Sequence, residues 1–233
     1  MRTKLVSTKN VIEADKVISR LKSKEKPGMI VIYGDTGLGK TFYSYNRTFS
    51  NGWCYYRIRA TETAKSFLQQ VYKRLNKIYT GSNEILRGNT AKLEDACIEM
   101  FKAMPNQVFA IDEMNLCMQF RKYEIIETIR DLRDEAHAQI ILIGEHDTRQ
   151  KLEAYNPRYF GRCEFVPFIS NSAADVALVM KSCSEVEFDK DVYAKVVSKF
   201  KGNLRQVENF IQDAEVTAYE MNLKVITMKD MGI

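Results

Sequence analysis

None of the 233 residues belongs to an apolar run long enough to span a bilayer, which takes about 20 consecutive residues. The opening, "MRTKLVSTKNVIEADKV", is charged throughout and lacks the apolar centre of a signal peptide. The five cysteines (Cys54, Cys97, Cys117, Cys163 and Cys183) lie far apart with no CxxC pair. That spacing argues against zinc and for scattered reduced thiols in a cytoplasmic protein. Internal repeats and low-complexity segments are missing as well, so solenoids and disordered tails are not expected. What is present is a globular composition, 45% hydrophobic and 28% charged, with length enough for one α/β domain and a small appendage.

The charge is unevenly spread. Residues 1–26 hold eight Lys/Arg and three Asp/Glu, a net of +5, which is also the net charge of the whole chain. The remainder, 27 against 27, is neutral. A basic N-terminal segment is suited to phosphate backbones. An ordinary solvated amphipathic helix explains it equally well, since Val11, Ile12, Val17, Ile18 and Leu21 recur at helical spacing.

A helix is expected over 10–23, after which strands and helices alternate. Strands are expected at 29–33, 53–58, 107–111, 139–144 and 163–167. Helices are expected at 39–48, 63–77, 90–103, 121–136 and 147–153, and the polar, glycine-punctuated residues 78–90 read as a surface loop. This alternation implies an α/β fold with a parallel sheet covered by helices. After Pro167 the pattern turns helical, at 172–184, 189–200 and 203–222, with Asn171 or Ser172 able to cap the first of these. Three parts follow: a basic N-terminal segment (1–26), an α/β core (27–169) and a small C-terminal helical lid (170–233).

Gly34-Asp35-Thr36-Gly37-Leu38-Gly39-Lys40-Thr41 fits GxxxxGK[ST] at every fixed position, follows a strand and opens a helix. Glycines let backbone N–H groups turn inward around phosphates, and the helix directs its positive end at the same place. Lys40 then reaches the β/γ-phosphates of ATP, and the Thr41 hydroxyl takes a Mg²⁺ position. "VFAIDEMN" places Asp112 at a strand's C-terminal end, where it would hold Mg²⁺ through water, and Glu113 where it would polarise the attacking water. In "IILIGEHDTRQKL", Glu145 or His146 follows a strand and could sense the γ-phosphate; a surface turn explains them equally well. In "NPRYFGRCEFVPF", Arg158 and Arg162 precede the last strand, from which an arginine reaches a neighbour's nucleotide more readily than its own. Surface salt-bridging is the alternative, and Arg162 is favoured over Arg158 as such a finger. In "KGNLRQVENF", Gly202 ends one helix, Asn203 caps the next, and Arg205 falls on its first turn, where it can close on the γ-phosphate. Leu204, Val207, Phe210 and Ile211 form the buried face of that helix.

With these parts in this order the chain resembles the AAA+ ATPases over roughly residues 10–222. Gly34–Thr41 is similar to Walker A, Asp112-Glu113 to Walker B, Arg162 to the arginine finger, and "GNLR" with Arg205 to sensor 2. The phrases "IDEMN", "IRDLRDEAHAQIILIG" and "GNLRQVENFIQDAE" are most similar to the transposition ATPases, the B protein of phage Mu and the TnsC group. The resemblance implies an ATP- and Mg²⁺-dependent ATPase that forms filaments or rings of itself on duplex DNA, selects target DNA and activates a transposase. It also implies no membrane partner. It places candidate DNA contacts between the second strand and Walker B, at Lys65, Lys73, Arg74, Lys77, Arg87, Thr90 and Lys92. Contacts of that kind to phosphate carry affinity without sequence specificity.

The chain departs from the family at Gly144-Glu145-His146, where a small polar sensor residue is usual. About thirty residues precede the phosphate loop, so the separate N-terminal DNA-binding domain of the Mu protein is not expected. A helicase-loader or initiator-like ATPase, acting on a replicative helicase or single strands, is the main alternative. A secretion-type ATPase would need a membrane segment or peptidoglycan module. A metabolic kinase would leave Arg162 and Arg205 without a role.

Overall fold

The computed structural model describes residues 4–22, 28–118 and 123–232. Arg2, Lys24 and Lys26 of the basic N-terminal segment lie outside the described residues. So do residue 23 of the first expected helix, the start of the helix expected at 121–136, and the side chains of Leu21 and Lys22.

In chain order the elements are α1 (Lys9–Lys22), β1 (Met29–Gly34), α2 (Lys40–Asn51), β2 (Cys54–Arg57), α3 (Ala64–Thr80), α4 (Thr90–Ala103) and β3 (Val108–Asp112). A 3-10 turn (Met114–Met118) leads to α5 (Tyr123–Ala136), β4 (Gln139–Ile143), α6 (Thr148–Tyr155), α7 (Pro157–Phe160) and β5 (Cys163–Phe168). Then come α8 (Ala173–Cys183), β6 (Glu187–Phe188), α9 (Lys190–Phe200), α10 (Leu204–Glu220) and β7 (Val225–Ile226). The chain divides into two compact units. One comprises residues 16–34 and 44–167; the other comprises residues 1–15, 35–43 and 168–233.

The first unit is the α/β body. Its sheet has the order β2-β3-β4-β1-β5, with β1, β3 and β4 joined by parallel ladders and β2 added in parallel to β3. The burial of each strand follows from its place. β3 ("VFAID") and β4 ("QIILI") are buried at every residue, because both faces of a central parallel strand are covered. β2 and β5 lie at the edges and alternate between buried and more exposed residues. Phe67, Leu68 and Val71 of α3, Leu93 and Phe101 of α4, and Ile126 and Ile129 of α5 complete the core against Phe109, Ile111 and Ile140.

The loop expected at 78–90 is shorter than that. α3 continues to Thr80, because nothing before Gly81 breaks the helix; Gly81 then takes the left-handed conformation at φ 78° and donates its N–H to Lys77 O. The 3-10 turn, α7 and the two short strands β6 and β7 had no expectation from the sequence. α7 is only four residues long and depends on Asn156, whose side chain accepts from the N–H groups of Arg158 and Tyr159.

The second unit is mainly helical. Val176, Met180, Val192, Val196, Val207 and Ile211 pack as its core, closed by Phe188 and Ile226 of the parallel β6–β7 pair. Ser172, one of the two caps expected, opens α8 with a reciprocal capping box to Asp175. Asn203 caps α10 as expected, accepting from Gln206 N–H. Val207, Phe210 and Ile211 are buried, while Leu204 is only partly so.

Candidate functional site

The helical unit contains the glycine loop. Gly37 has φ 80°, a conformation that favours glycine, and a Cβ there would overlap the Asn203 side chain. The loop meets the start of α10 directly. Gly37 O accepts from Leu204 N–H at 2.8 Å and from Arg205 N–H at 3.3 Å, and Asn203 Nδ2 donates to Thr36 O at 3.5 Å. Backbone donors at a helix start have no partner within the helix, and here the loop satisfies two of them. Lys40 Nζ donates to Asp35 O at 2.7 Å, which keeps the ammonium over the loop. Arg205 stands exposed on the first turn of α10, so loop and arginine are brought together by one hydrogen-bonded turn. The turn is held from behind by Asn171, whose Nδ2 donates to Gly202 O at 2.9 Å. Asn10, also buried, donates to Ile169 O and accepts from Ile169 N–H. Sequence reasoning missed Asn10 and did not give Asn171 this task, because neither lies in a phosphate-binding pattern.

The α/β body contains the carboxylates. β1, which ends at Gly34 where the glycine loop begins, lies two strands from β3, with β4 between them. At about 4.8 Å per strand, β1 and β3 lie about 10 Å apart at the C-terminal end of the sheet. Asp112 closes β3 and is buried, 3% exposed. Its Oδ2 accepts from the Tyr55 hydroxyl at 2.8 Å and its Oδ1 from Glu113 N–H at 2.8 Å. Glu113 adopts φ 62°, an unusual conformation for a non-glycine residue, and Arg57 Nη2 pairs with its Oε1 at 2.7 Å. Strain of this kind concentrates at functional sites. Burial first, then the charge and hydrogen bond of Asp112, hold the Tyr55 hydroxyl well above its ordinary pKa, so it stays a donor. Tyr55 and Arg57 were not anticipated. The alternation of "CYYR" puts them on one face, but only the β2–β3 pairing shows what that face meets.

Glu145 and His146 occupy the turn after β4, with His146 exposed and Glu145 partly buried. Beneath that turn, a Cβ at Gly144 would overlap the Thr148 side chain, so the close approach of α6 requires glycine. Arg158 and Arg162 are both exposed. The Arg162 guanidinium pairs with Asp134 of α5, whose other partner is Arg133 at 2.6 Å. Burial opposes ionisation of Asp134, but the hydrogen bonds from Arg133 and Arg162 outweigh it and lower its pKa.

The basic residues proposed to touch DNA fall on α3, α4 and the segment joining them. Lys65, Lys77, Arg87, Thr90 and Lys92 are exposed, with Ile78, Tyr79 and Ile85 exposed among them. Lys73 and Arg74 are partly buried. Arg74 is engaged internally, donating to Tyr55 O and Gln70 O and lying 4.6 Å over the Tyr56 ring. Burial pushes the thiols of Cys54, Cys97 and Cys163 up to about 12, so none is a nucleophile at neutral pH. No helix among the described residues is long and apolar enough to cross a membrane.

The AAA domain family model matches residues 23–152. No curated protein sequence matches the chain. Among solved structures, the Orc1 protein of Aeropyrum pernix, determined in complex with DNA, superposes with a TM-score of 0.65 at 15% identity, covering 98% of this chain and 64% of that one. A signal-transduction ATPase with numerous domains and a tetratricopeptide repeat sensor, from Pyrococcus horikoshii, superposes with a TM-score of 0.56 at 16% identity. That match covers 83% of this chain and 28% of the other. The chain therefore spans less than two thirds of the length of either structure.

Proposed function

The chain belongs to the AAA domain family, and from that premise we propose that it is an ATP-hydrolysing switch that assembles on duplex DNA. One observation above all supports the reading. The strand that launches the GxxxxGKT loop and the strand that ends in Asp112-Glu113 run parallel to the same end of the sheet, separated by a single strand. The Gly37–Thr41 backbone and Lys40 bind the phosphates, and Glu113 orients and deprotonates the attacking water. Thr41 and Asp112 supply hard oxygen donors, the chemistry that Mg²⁺ requires. Held there, Mg²⁺ would supply positive charge against the charge that develops on the phosphates. Arg205, hydrogen-bonded through its backbone to Gly37, reports the nucleotide state to the lid, residues 170–233. Arg162 serves a neighbouring copy's nucleotide, with Arg158 beside it, and residues 27–169 form the ATPase core.

The exposed basic residues of the α3–α4 region serve as the contact to DNA phosphates, and the apolar side chains among them suit a surface that meets a partner. The resemblance of "IDEMN" and "GNLRQVENF" to transposition ATPases points to target-DNA selection and a transposase partner. The superposition on a DNA-bound Orc1 over 98% of this chain favours a second reading, an initiator or helicase-loader-like ATPase.

Electron microscopy of the chain with duplex DNA, with and without a slowly hydrolysed ATP analogue, tests the proposal. Nucleotide-dependent filaments or rings around DNA are expected, together with duplex-stimulated hydrolysis. Bare DNA and single subunits under both conditions would remove the assembly reading. Preference for single strands, or capture of a replicative helicase, would replace it with the second.

A further inference from the structure

Two carboxylates one residue apart, Asp112 and Glu113, are each held by a side chain from the same short strand, and the two holds differ in chemistry. β2 alternates, so Cys54 and Tyr56 enter the core while Tyr55 and Arg57 share the other face. In the parallel register Arg57 stands opposite Asp112 and Tyr55 opposite Ala110. Tyr55 is therefore two residues short of the strand end, about 6.6 Å along a parallel strand. Its long side chain spans that distance and delivers the hydroxyl to Asp112 Oδ2 at 2.8 Å. The ring is braced edge-on by Tyr45 of α2, with centroids 5.6 Å apart and planes at 90°.

The contrast lies in charge. Arg57 is a cation, so its pair with Glu113 both orients and compensates that carboxylate. Tyr55 is a neutral phenol that donates to Oδ2, so it orients Asp112 without cancelling any of its charge. A carboxylate oxygen has two lone pairs, and one donated bond leaves capacity on Oδ2 for a further partner. A buried carboxylate with fixed orientation and undiminished charge is what a divalent cation needs from its protein ligand. Loss of an outer partner of this kind typically costs about 10- to 100-fold in metal affinity.

We infer that Tyr55 is a positioning residue for Asp112, and that its hydroxyl sets the affinity of the nucleotide site for its divalent cation. The inference rests on the proposed nucleotide reading and adds a residue that no phosphate-binding motif contains.

The test compares the full-length wild type with Tyr55→Phe, which removes the hydroxyl and keeps the ring against Tyr45. A fluorescent ATP analogue is titrated in EDTA and then across a range of Mn²⁺ concentrations, with cation uptake followed by electron paramagnetic resonance. Tyr55→Phe is expected to raise the Mn²⁺ concentration for half-saturation about tenfold or more. Metal-free nucleotide affinity is expected to stay within about twofold of wild type, because Lys40 and the glycine loop are untouched. A Mn²⁺ dependence indistinguishable from wild type overturns the inference. An equal loss of affinity in EDTA also overturns it, since that would mean a merely structural role. A double-mutant cycle with Asp112→Asn on the thermal unfolding of the metal-free chain gives a second readout. Coupling between the two positions is expected, and strictly additive effects count against the contact. A wild type that binds no nucleotide under any condition overturns the nucleotide reading itself. A wild type that binds normally, beside an unaltered Tyr55→Phe, overturns the role of Tyr55 alone.

Discussion

Single side chains in this protein have separable tasks that substitutions can distinguish. On the proposed reading Lys40→Ala removes a charge-assisted contact to phosphate, and such bonds contribute about 1.5–3 kcal/mol. Nucleotide affinity, measured by calorimetry, is expected to fall on the order of 10- to 100-fold, and retained tight binding would remove the loop assignment. Glu113→Gln keeps the size of the side chain but loses the carboxylate proposed as the base. Turnover is expected to fall about 10²- to 10⁴-fold while nucleotide stays bound, leaving assemblies on DNA that persist under the microscope. If the variant assembles no better than wild type with ATP, Glu113 has another role. The Arg162–Asp134 pair makes a pH-dependent prediction. The folded-state pKa of Asp134 is lowered, so its stabilising contribution is present above the ordinary carboxylate pKa and lost as pH falls through the lowered value. Asp134→Asn should therefore destabilise the chain at pH 7, and by less at a pH below the ordinary carboxylate pKa, in urea unfolding. An equal difference at both values would mean that the ion pair contributes nothing.

Among elements, the turn from α9 to α10 carries the strongest backbone demand. Lys201 ends α9 at φ 47° and Gly202 follows at φ 79°, where a Cβ would overlap the backbone of Asn171. Gly202→Ala combines a left-handed non-glycine residue with that overlap, and a loss of about 1–3 kcal/mol is expected for the conformation alone. Chemical denaturation checks it, and an unchanged midpoint would show that the turn relaxes freely. Because the same turn presents Leu204 and Arg205 N–H groups to Gly37 O, nucleotide affinity should fall with it. Thr63→Ala, at the capping box that opens α3, should cost about 1 kcal/mol without changing nucleotide affinity. The pair separates a turn that serves the loop from a cap that serves only its helix.

For the whole molecule, the question is how a chain with neutral charge after residue 26 would bind DNA. Its basic residues must be segregated, and α3, α4 and their connection present Lys65, Lys77, Arg87 and Lys92 to solvent. Each lysine or arginine that touches a phosphate contributes about one unit to the dependence of log affinity on log salt. Replacing Lys77 and Arg87 with glutamine should lower the slope by about two and weaken binding evenly across sequences. An unchanged slope would move the contact elsewhere, with the N-terminal segment as the next place to test. Arg74 is a poorer candidate than its neighbours, since its guanidinium is bonded to Tyr55 O and Gln70 and stacked on Tyr56.

By itself the sequence determined the longer helices, the five strands of the main sheet and the glycine loop. Glycine spacing, a strand before it and a helix after it are local properties, and so are the apolar runs of β3 and β4, the cap at Asn203 and a cap at Asn171 or Ser172, of which the structure uses Ser172. Local interactions act over a few residues, so a linear reading recovers them. The tertiary structure alone decided which residues serve the site from a distance. Tyr55 meets Asp112 across 57 positions and Arg57 meets Glu113 across 56, because parallel pairing joins strands separated by a long crossover. Arg162, just before β5, finds Asp134 of α5 across 28 positions. Nothing in the order of residues encodes which strand lies beside which, and the hydroxyl and guanidinium that orient the acidic pair come from a strand that carries no phosphate-binding motif.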